Sequence, residues 1–224
     1  GAGHVISPNI DRLAKRGRMF EHAYCQQALC NPSRASMLTG LRPDSLGIWN
    51  LPTHLRQRRP GIVTLPQHFR NNGYFTECVG KIFHNWRQDI HGDPQSWSVP
   101  QFMHYARHDD DKPKVDGKPP GNEIKLPRST IRDVPDEAYF DGRIATRAVE
   151  SLQRLKKNRK PFFLAVGFWK PHLPFNAPKR YWNLYDPAKV KLPESLAKPA
   201  NGPDIALHDS RELLRAFGGG GGAP

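Results

Sequence analysis

The chain has 224 residues, enough for one substantial domain with a real core. Lys and Arg number 34 against 21 Asp and Glu, for a formal net charge of +13. That surplus favours anionic partners, without choosing among nucleic acid, a membrane surface and a sulfated or phosphorylated substrate. The longest apolar run, Phe162 to Trp169, is strand-sized and falls short of the ~20 residues of a membrane span. Three cysteines, Cys25, Cys30 and Cys78, are too few for a disulfide framework. The N-terminal Gly1-Ala2-Gly3-His4 shows neither the basic start nor the apolar core of a signal peptide. With no initiator Met, the chain reads as processed or as a fragment.

Pro8 to about Gly17 reads as a helix, with Ile10, Leu13 and Ala14 at helical spacing and Gly17 to end it. Met19 to Gln26 reads as a short strand leading into Cys30. Pro32 to Leu38 reads as a helix closed by Gly40, and Leu65 to Asn72 as another. Asn72-Gly73 is a turn, followed by a strand over Tyr74 to Gly80. Arg87 to Asp133 is rich in Pro, Gly, Asp and His and reads as long surface loops. Pro135 to Lys157 is the clearest helix, with Ala138, Ile144, Ala148, Leu152 and Leu155 on one face and basic residues at its end. Pro161 to Trp169 reads as a buried strand, and Lys170 to Pro203 as irregular. Asp209 and Glu212 suit the capping box of a last short helix.

The chain therefore divides into a body over 1–217 and a Gly-rich tail over 218–224 that reads as flexible. Helices alternating with strands point to an α/β sandwich on a mostly parallel sheet. In such sheets, sites form at the carboxyl ends of strands. Cys30, Lys81 and His172 each follow a predicted strand, so they can meet at one edge.

The most informative stretch is Cys30-Asn31-Pro32-Ser33-Arg34-Ala35-Ser36-Met37-Leu38-Thr39-Gly40. Pro32 suits a first helical turn. Cys30 then sits at the helix entrance, where free N–H groups and the dipole favour an anion. Arg34 returns to the same face about one turn later. On spacing alone, a buried structural cysteine beside a helix cap fits equally well.

C-x-P-S-R, continued by Met37-Leu38-Thr39-Gly40-Leu41-Arg42-Pro43, resembles the motif of the type I sulfatases. In that family the cysteine is oxidised enzymatically to formylglycine. The resemblance implies an alkaline-phosphatase-like α/β sandwich, with a mostly parallel central sheet and helices on both faces. It also implies sulfate-ester hydrolysis. One hydroxyl of the hydrated aldehyde, deprotonated at a divalent cation (most simply Ca²⁺), attacks sulfur; the other lets the covalent ester collapse and expel sulfate. Arg34 would steady the formylglycine and the local negative charge.

Gly80-Lys81-Ile82-Phe83-His84 stands where the family places a Lys and a nearby His. Lys81 would bridge the formylglycine and the sulfate, and His84 would orient the nucleophile. Pro161 to Phe175, with Trp169-Lys170-Pro171-His172, resembles the iduronate-2-sulfatase branch of the family and its bacterial members. His172 would contact sulfate and protonate the departing alcohol. Lys170 would help neutralise an anionic substrate or simply be solvated, and Trp169 would line a sugar pocket or simply pack.

His54, His68, His91, His104, His108 and His208 show no ligand-like spacing. Asp109-Asp110-Asp111 reads as a solvated acidic loop. The basic runs Arg56 to Arg59 and Arg154 to Lys160 read as solvated faces, the first also suited to recruiting a sulfated polymer.

The resemblance runs from the first helix to about Asp209. The family's paired Asp residues and first strand are expected before Gly1, and a further Asp, a neighbouring Asn or His and another Lys after Pro224. Of the metal's ligands only Cys30, as formylglycine, is expected here, so this chain alone is expected to be inactive. The implied partners are a sulfated small molecule or polysaccharide and a formylglycine-generating enzyme, with no nucleic acid and no membrane span. The implied location is exported (periplasmic or extracellular) or lysosomal. Phosphonate or phosphate monoester hydrolysis and choline sulfatase activity are alternatives within the resemblance. A basic nucleic-acid-binding protein rests on charge alone.

Overall fold

The computed structural model describes residues 4–85, 88–103, 124–126, 129–173, 175–191, 197 and 200–204. The elements in chain order are α1 (Pro8–Arg16), α2 (Cys30–Thr39), α3 (Pro43–Leu46), α4 (Leu55–Arg58), α5 (Leu65–Asn71), β1 (Phe75–Gly80), β2 (Ile124–Leu126), β3 (Ser129–Arg132), α6 (Phe140–Lys157), β4 (Phe162–Gly167), β5 (Phe175–Pro178) and α7 (Lys179–Trp182). They fall into two compact units. The first comprises Gly1–Asp111 with Phe140–Trp169, the second Lys112–Tyr139 with Lys170–Pro224.

In the first unit β1 and β4 pair in parallel, from Phe75 opposite Phe162 to Gly80 opposite Gly167. Alternation along paired strands fixes two faces. On one, Cys78, Phe163 and Ala165 meet Ala35 and Leu38 of α2 with Leu46, Ile48, Leu55, Phe83 and Trp97, and Phe69 of α5 stacks on Phe163 at 4.9 Å. On the other, Val79, Leu164 and Val166 meet Phe140 and Ile144 of α6 and Trp169. Helices thus cover both faces, as a parallel sheet requires.

The helices after α1 form where their signals stand. Gly40 ends α2 with its N–H on the Ser36 carbonyl. Thr64 and Gln67 form a reciprocal capping box at the start of α5, satisfying two otherwise orphaned donors. In α6 the buried face is Ile144, Ala148, Ser151 and Leu155; Leu152, expected on it, is 47% exposed. Ser151 takes the inward position because its hydroxyl donates to the buried Glu77 carboxylate at 2.7 Å, and Arg154 pairs with the other Glu77 oxygen.

The expected helix α1 forms, with Ile10 and Leu13 71% and 70% exposed. Other expectations are corrected. Met19 to Gln26 is not a strand; no strand among the described residues pairs with it. Residues 88–103 are not a surface loop: Gln88, Asp93, Ser96 and Trp97 are buried, because their polar groups find partners inside. β4 is only half-buried along most of its length.

The second unit contains a three-stranded sheet in the order β2-β3-β5, antiparallel between β2 and β3 and parallel between β3 and β5. The segment after Lys170 is therefore less irregular than its prolines suggest. Phe175–Pro178 is extended because β3 offers it a partner 46 residues earlier in the chain, Ser129 against Phe175. Arg180 and Tyr181 of α7 both bind the Asp136 carboxylate, the Tyr181 hydroxyl at 2.9 Å. The expected acidic loop at Asp109–Asp111, the helix at Asp209–Glu212 and the tail over 218–224 lie outside the described residues.

Candidate active site

Cys30 is the first residue of α2, preceded by Leu29 in extended conformation, whose side chain makes no capping hydrogen bond. The Cys30 thiol is half-buried. The open N-terminus of a ten-residue helix is therefore directed at the position of this side chain. Asn31 fixes the turn: its side-chain amide donates to the carbonyls of Asn50 and Thr53, both at 2.8 Å, and Pro32 is buried beside it.

Arg34 follows one turn later. Its Nη1 donates to the carbonyls of Lys81 at 3.0 Å and Ile82 at 2.9 Å. Burial lowers its pKa from the ordinary value, and the nearby Cys30 acts in the opposite sense. A guanidinium stays charged under either influence. A fixed positive charge thus stands within electrostatic reach of Cys30, where an anion would be held.

The two carbonyls are presented by a close crossing at the carboxyl ends of β1 and β4. Lys81 N–H donates to the Gly167 carbonyl at 2.8 Å. A Cβ on Gly80 would lie 2.2 Å from the Gly167 oxygen, and one on Gly167 would lie 1.9 Å from the Lys81 oxygen. Gly80 also has φ +80°, in the region that favours glycine. Both positions therefore need glycine for the strands to approach and for the Lys81 and Ile82 carbonyls to face Arg34.

The Lys81 side chain is buried, with Nζ 5.0 Å from the centre of the Trp169 ring, a cation–π contact. Trp169 in turn packs edge-on against Phe140 at 5.0 Å, and its backbone N–H donates to Asp141 Oδ1 at 2.7 Å. Of the two roles open to Trp169, the structure supports packing: it is 5% exposed. His84 is buried in the same run, after Ile82 and Phe83 of the core.

Cys30, Arg34, Lys81 and His84 all belong to the first unit, and Arg34 ties α2 to the Lys81 strand end. Lys170 and His172 belong to the second; both are half-buried. His172 Nδ1 lies 3.0 Å from the Leu173 carbonyl. A carbonyl only accepts, so Nδ1 is the donor.

Sequence reasoning missed a buried polar cluster within the first unit. Arg56 makes a two-point ion pair with Asp93, Nε to Oδ1 at 2.9 Å and Nη2 to Oδ2 at 2.7 Å, and binds Gln67 at 2.7 Å. His54 Nδ1 accepts from Arg56 N–H at 3.1 Å and Nε2 donates to Gly92 O at 2.5 Å, so the ring is neutral. Burial lowers its pKa, outweighing the Gly92 carbonyl and Asp93, which raise it. Arg56 is thus structural and unavailable to a polymer, whereas Arg58 and Arg59 are exposed. Nothing local announces this, because Asp93 lies 37 residues away. The glycines carried a weak signal: each stands at the end of its strand, immediately before or shortly before a candidate residue.

Among the described residues, no group of three or more His, Cys, Asp or Glu side chains is placed to hold a metal ion. Hard divalent cations need several oxygen ligands, so these residues by themselves do not fit one.

The parallel sheet, its two helical layers and a site at the strand ends define an alkaline-phosphatase-like α/β fold. The phosphonate monoester hydrolase of Agrobacterium radiobacter shares it with a TM-score of 0.62 at 21% identity, over 86% of this chain and 41% of that one. The chain belongs to the sulfatase family, whose model, described as Sulfatase, matches residues 2–199. It is 38% identical to iduronate 2-sulfatase of Mus musculus over 93% of this chain and 40% of that protein. It is 37% identical to iduronate 2-sulfatase of Homo sapiens over 91% of this chain and 38% of that protein. The chain thus spans about two fifths of the length of these relatives.

Proposed function

We propose that this chain supplies the nucleophile side of a sulfuric ester hydrolase, with Cys30 converted to formylglycine by a formylglycine-generating enzyme. The observation that carries the proposal is Cys30 at the start of α2, with the half-buried Arg34 guanidinium one turn on and anchored to the Lys81 strand end. An ordinary structural cysteine has no need of a cation fixed beside it. The full gene product is proposed to be exported or lysosomal and to act on a sulfated small molecule or glycan. The similarity to iduronate 2-sulfatases supports a sulfated uronic acid within a glycan.

The roles follow from chemistry. A hydroxyl of the hydrated aldehyde at position 30 forms a bond to sulfur as the bond from sulfur to the ester oxygen breaks. The departing alkoxide takes a proton, which His172 in its doubly protonated imidazolium form is suited to give, returning to the neutral ring. The second hydroxyl then loses its proton, the aldehyde carbonyl reforms, and sulfate leaves with the bonding pair. Arg34 offsets negative charge at position 30, while Lys81, His84 and Lys170 are assigned to orienting the sulfate and the nucleophile. A divalent cation, Ca²⁺ by the resemblance, would supply Lewis-acid charge to the full gene product.

The test is hydrolysis of sulfate and phosphate esters by the full gene product, with and without Cys30→Ala. Sulfate-ester turnover abolished by Cys30→Ala is expected. Undiminished turnover in Cys30→Ala would refute the proposal, and a preference for phosphate esters would favour a monoester hydrolase.

A further inference from the structure

The candidate site occupies the carboxyl ends of β1 and β4. The opposite edge of the same sheet has a different character. There the turn that follows α6 meets the turn that follows α5, with Phe75 N–H on the Pro161 carbonyl at 2.9 Å. Two chain segments meet at this edge, residues 60–75 and 151–163. They carry Arg70, Arg154, Lys156, Lys157, Arg159 and Lys160 and not one Asp or Glu. All six basic residues are exposed. Of the acids beside this edge, Glu77 is buried and bound by Ser151 and Arg154, and Glu150, just before the second segment, pairs with Arg147.

Helix polarity accounts for part of this. Lys156 and Lys157 lie in the last turn of α6, where a cation offsets the dipole. Arg159 and Lys160 lie beyond the helix and gain little from it. Arg159 moreover has φ +53°. A residue in this conformation just past a helix is usually glycine, for which it carries no steric penalty. The chain thus keeps a charged side chain where its backbone would be better served by none.

We infer that this edge is a docking surface for a sulfated polysaccharide, remote from the site that cleaves it. The inference rests on the proposed sulfatase reading, since a polymer bearing many sulfates also presents the ester that the Cys30 end would open. Six residues of strand separate the two edges by about 17 Å. A small sulfate ester therefore reaches only the Cys30 end, whereas a polymer can lie on both. Binding by such a surface falls steeply with salt.

The experiment compares the full gene product with Arg159→Gly and with the triple variant Lys156→Ala/Lys157→Ala/Lys160→Ala. A control variant removes equal charge from α1, Arg12→Ala/Lys15→Ala/Arg16→Ala. Affinity for heparin, for desulfated heparin of the same length and for single-stranded DNA is measured across a salt series. Turnover of a small aryl sulfate is measured separately. The triple variant should lose about tenfold in heparin affinity, and its salt dependence should flatten by about one unit of slope per lost contact. Arg159→Gly should fold at least as stably as the parent and still bind heparin more weakly. Aryl sulfate turnover should be unchanged in both, and its absence from the parent itself would count against the sulfatase reading, not against the surface. An equal loss in the α1 control would overturn the inference, because charge and not place would then govern binding. So would desulfated heparin bound as tightly as heparin, or DNA bound more tightly than either.

Discussion

Gly167→Ala tests the geometry that holds Arg34. The new methyl would lie 1.9 Å from the Lys81 oxygen, 2.5 Å from the Lys81 carbonyl carbon and 3.0 Å from Ile82 Cδ1. Ordinary contact begins near 3.4 Å, so the Lys81 peptide must retreat by about 1.5 Å, the difference between 3.4 and 1.9. Its carbonyl, with that of Ile82, accepts from Arg34 at 3.0 and 2.9 Å, and its N–H donates to Gly167. Overpacking of this kind costs about 1–3 kcal/mol, and a hydrogen bond to a charged group is worth about 1.5–3 kcal/mol. A loss of about 4 kcal/mol is expected, lowering Tm by roughly 8–16 °C at this size. The assay is thermal and urea unfolding beside Gly61→Ala, whose methyl meets nothing within 4 Å. If Gly167→Ala unfolds within about 0.5 kcal/mol of Gly61→Ala, the close crossing is not what the structure says it is.

Breaking the buried Arg56–Asp93 pair by Asp93→Asn should cost about 3–5 kcal/mol, read as a fall in the urea midpoint. Burial keeps His54 neutral with its folded pKa below the ordinary 6.5. Its contribution is then fully present above about pH 6.5 and is lost as pH falls below it, because the unfolded chain takes up the proton first. The parent should lose more stability than His54→Gln between pH 7.5 and 5.5, both values being the assay conditions. Asn31→Ala frees the Asn50 and Thr53 carbonyls and should cost about 1–3 kcal/mol. Burial, with Glu77 adding to it, pushes the Cys78 thiol pKa up, so iodoacetamide should label the exposed Cys25 first and Cys78 only on unfolding.

The elements that sequence reading placed well carry local signals. Gly40 stops α2, Thr64 and Pro66 start α5, and a 3.6-residue period marks α6. The Cys30 motif was legible for the same reason, as one helical turn holds both Cys30 and Arg34. What stayed hidden depends on partners far along the chain. Ser151 displaces Leu152 from the buried face because of Glu77, and Arg56 leaves the surface because of Asp93. β5 exists because β3 lies beside it, and Met19 to Gln26 stays unpaired for want of such a neighbour among the described residues. Lys81 was singled out from its motif, but the carbonyls that bind Arg34 are backbone groups, which no residue type announces.

The most direct test of the central claim is peptide mass spectrometry of the Cys30 peptide from the full gene product, made together with an active formylglycine-generating enzyme. Replacement of the CH₂SH group by an aldehyde lowers the mass by roughly 18 Da, and that loss is the expected result. An unchanged Cys30, from a preparation in which a control sulfatase peptide is converted, would contradict the claim and leave Cys30 a structural cysteine.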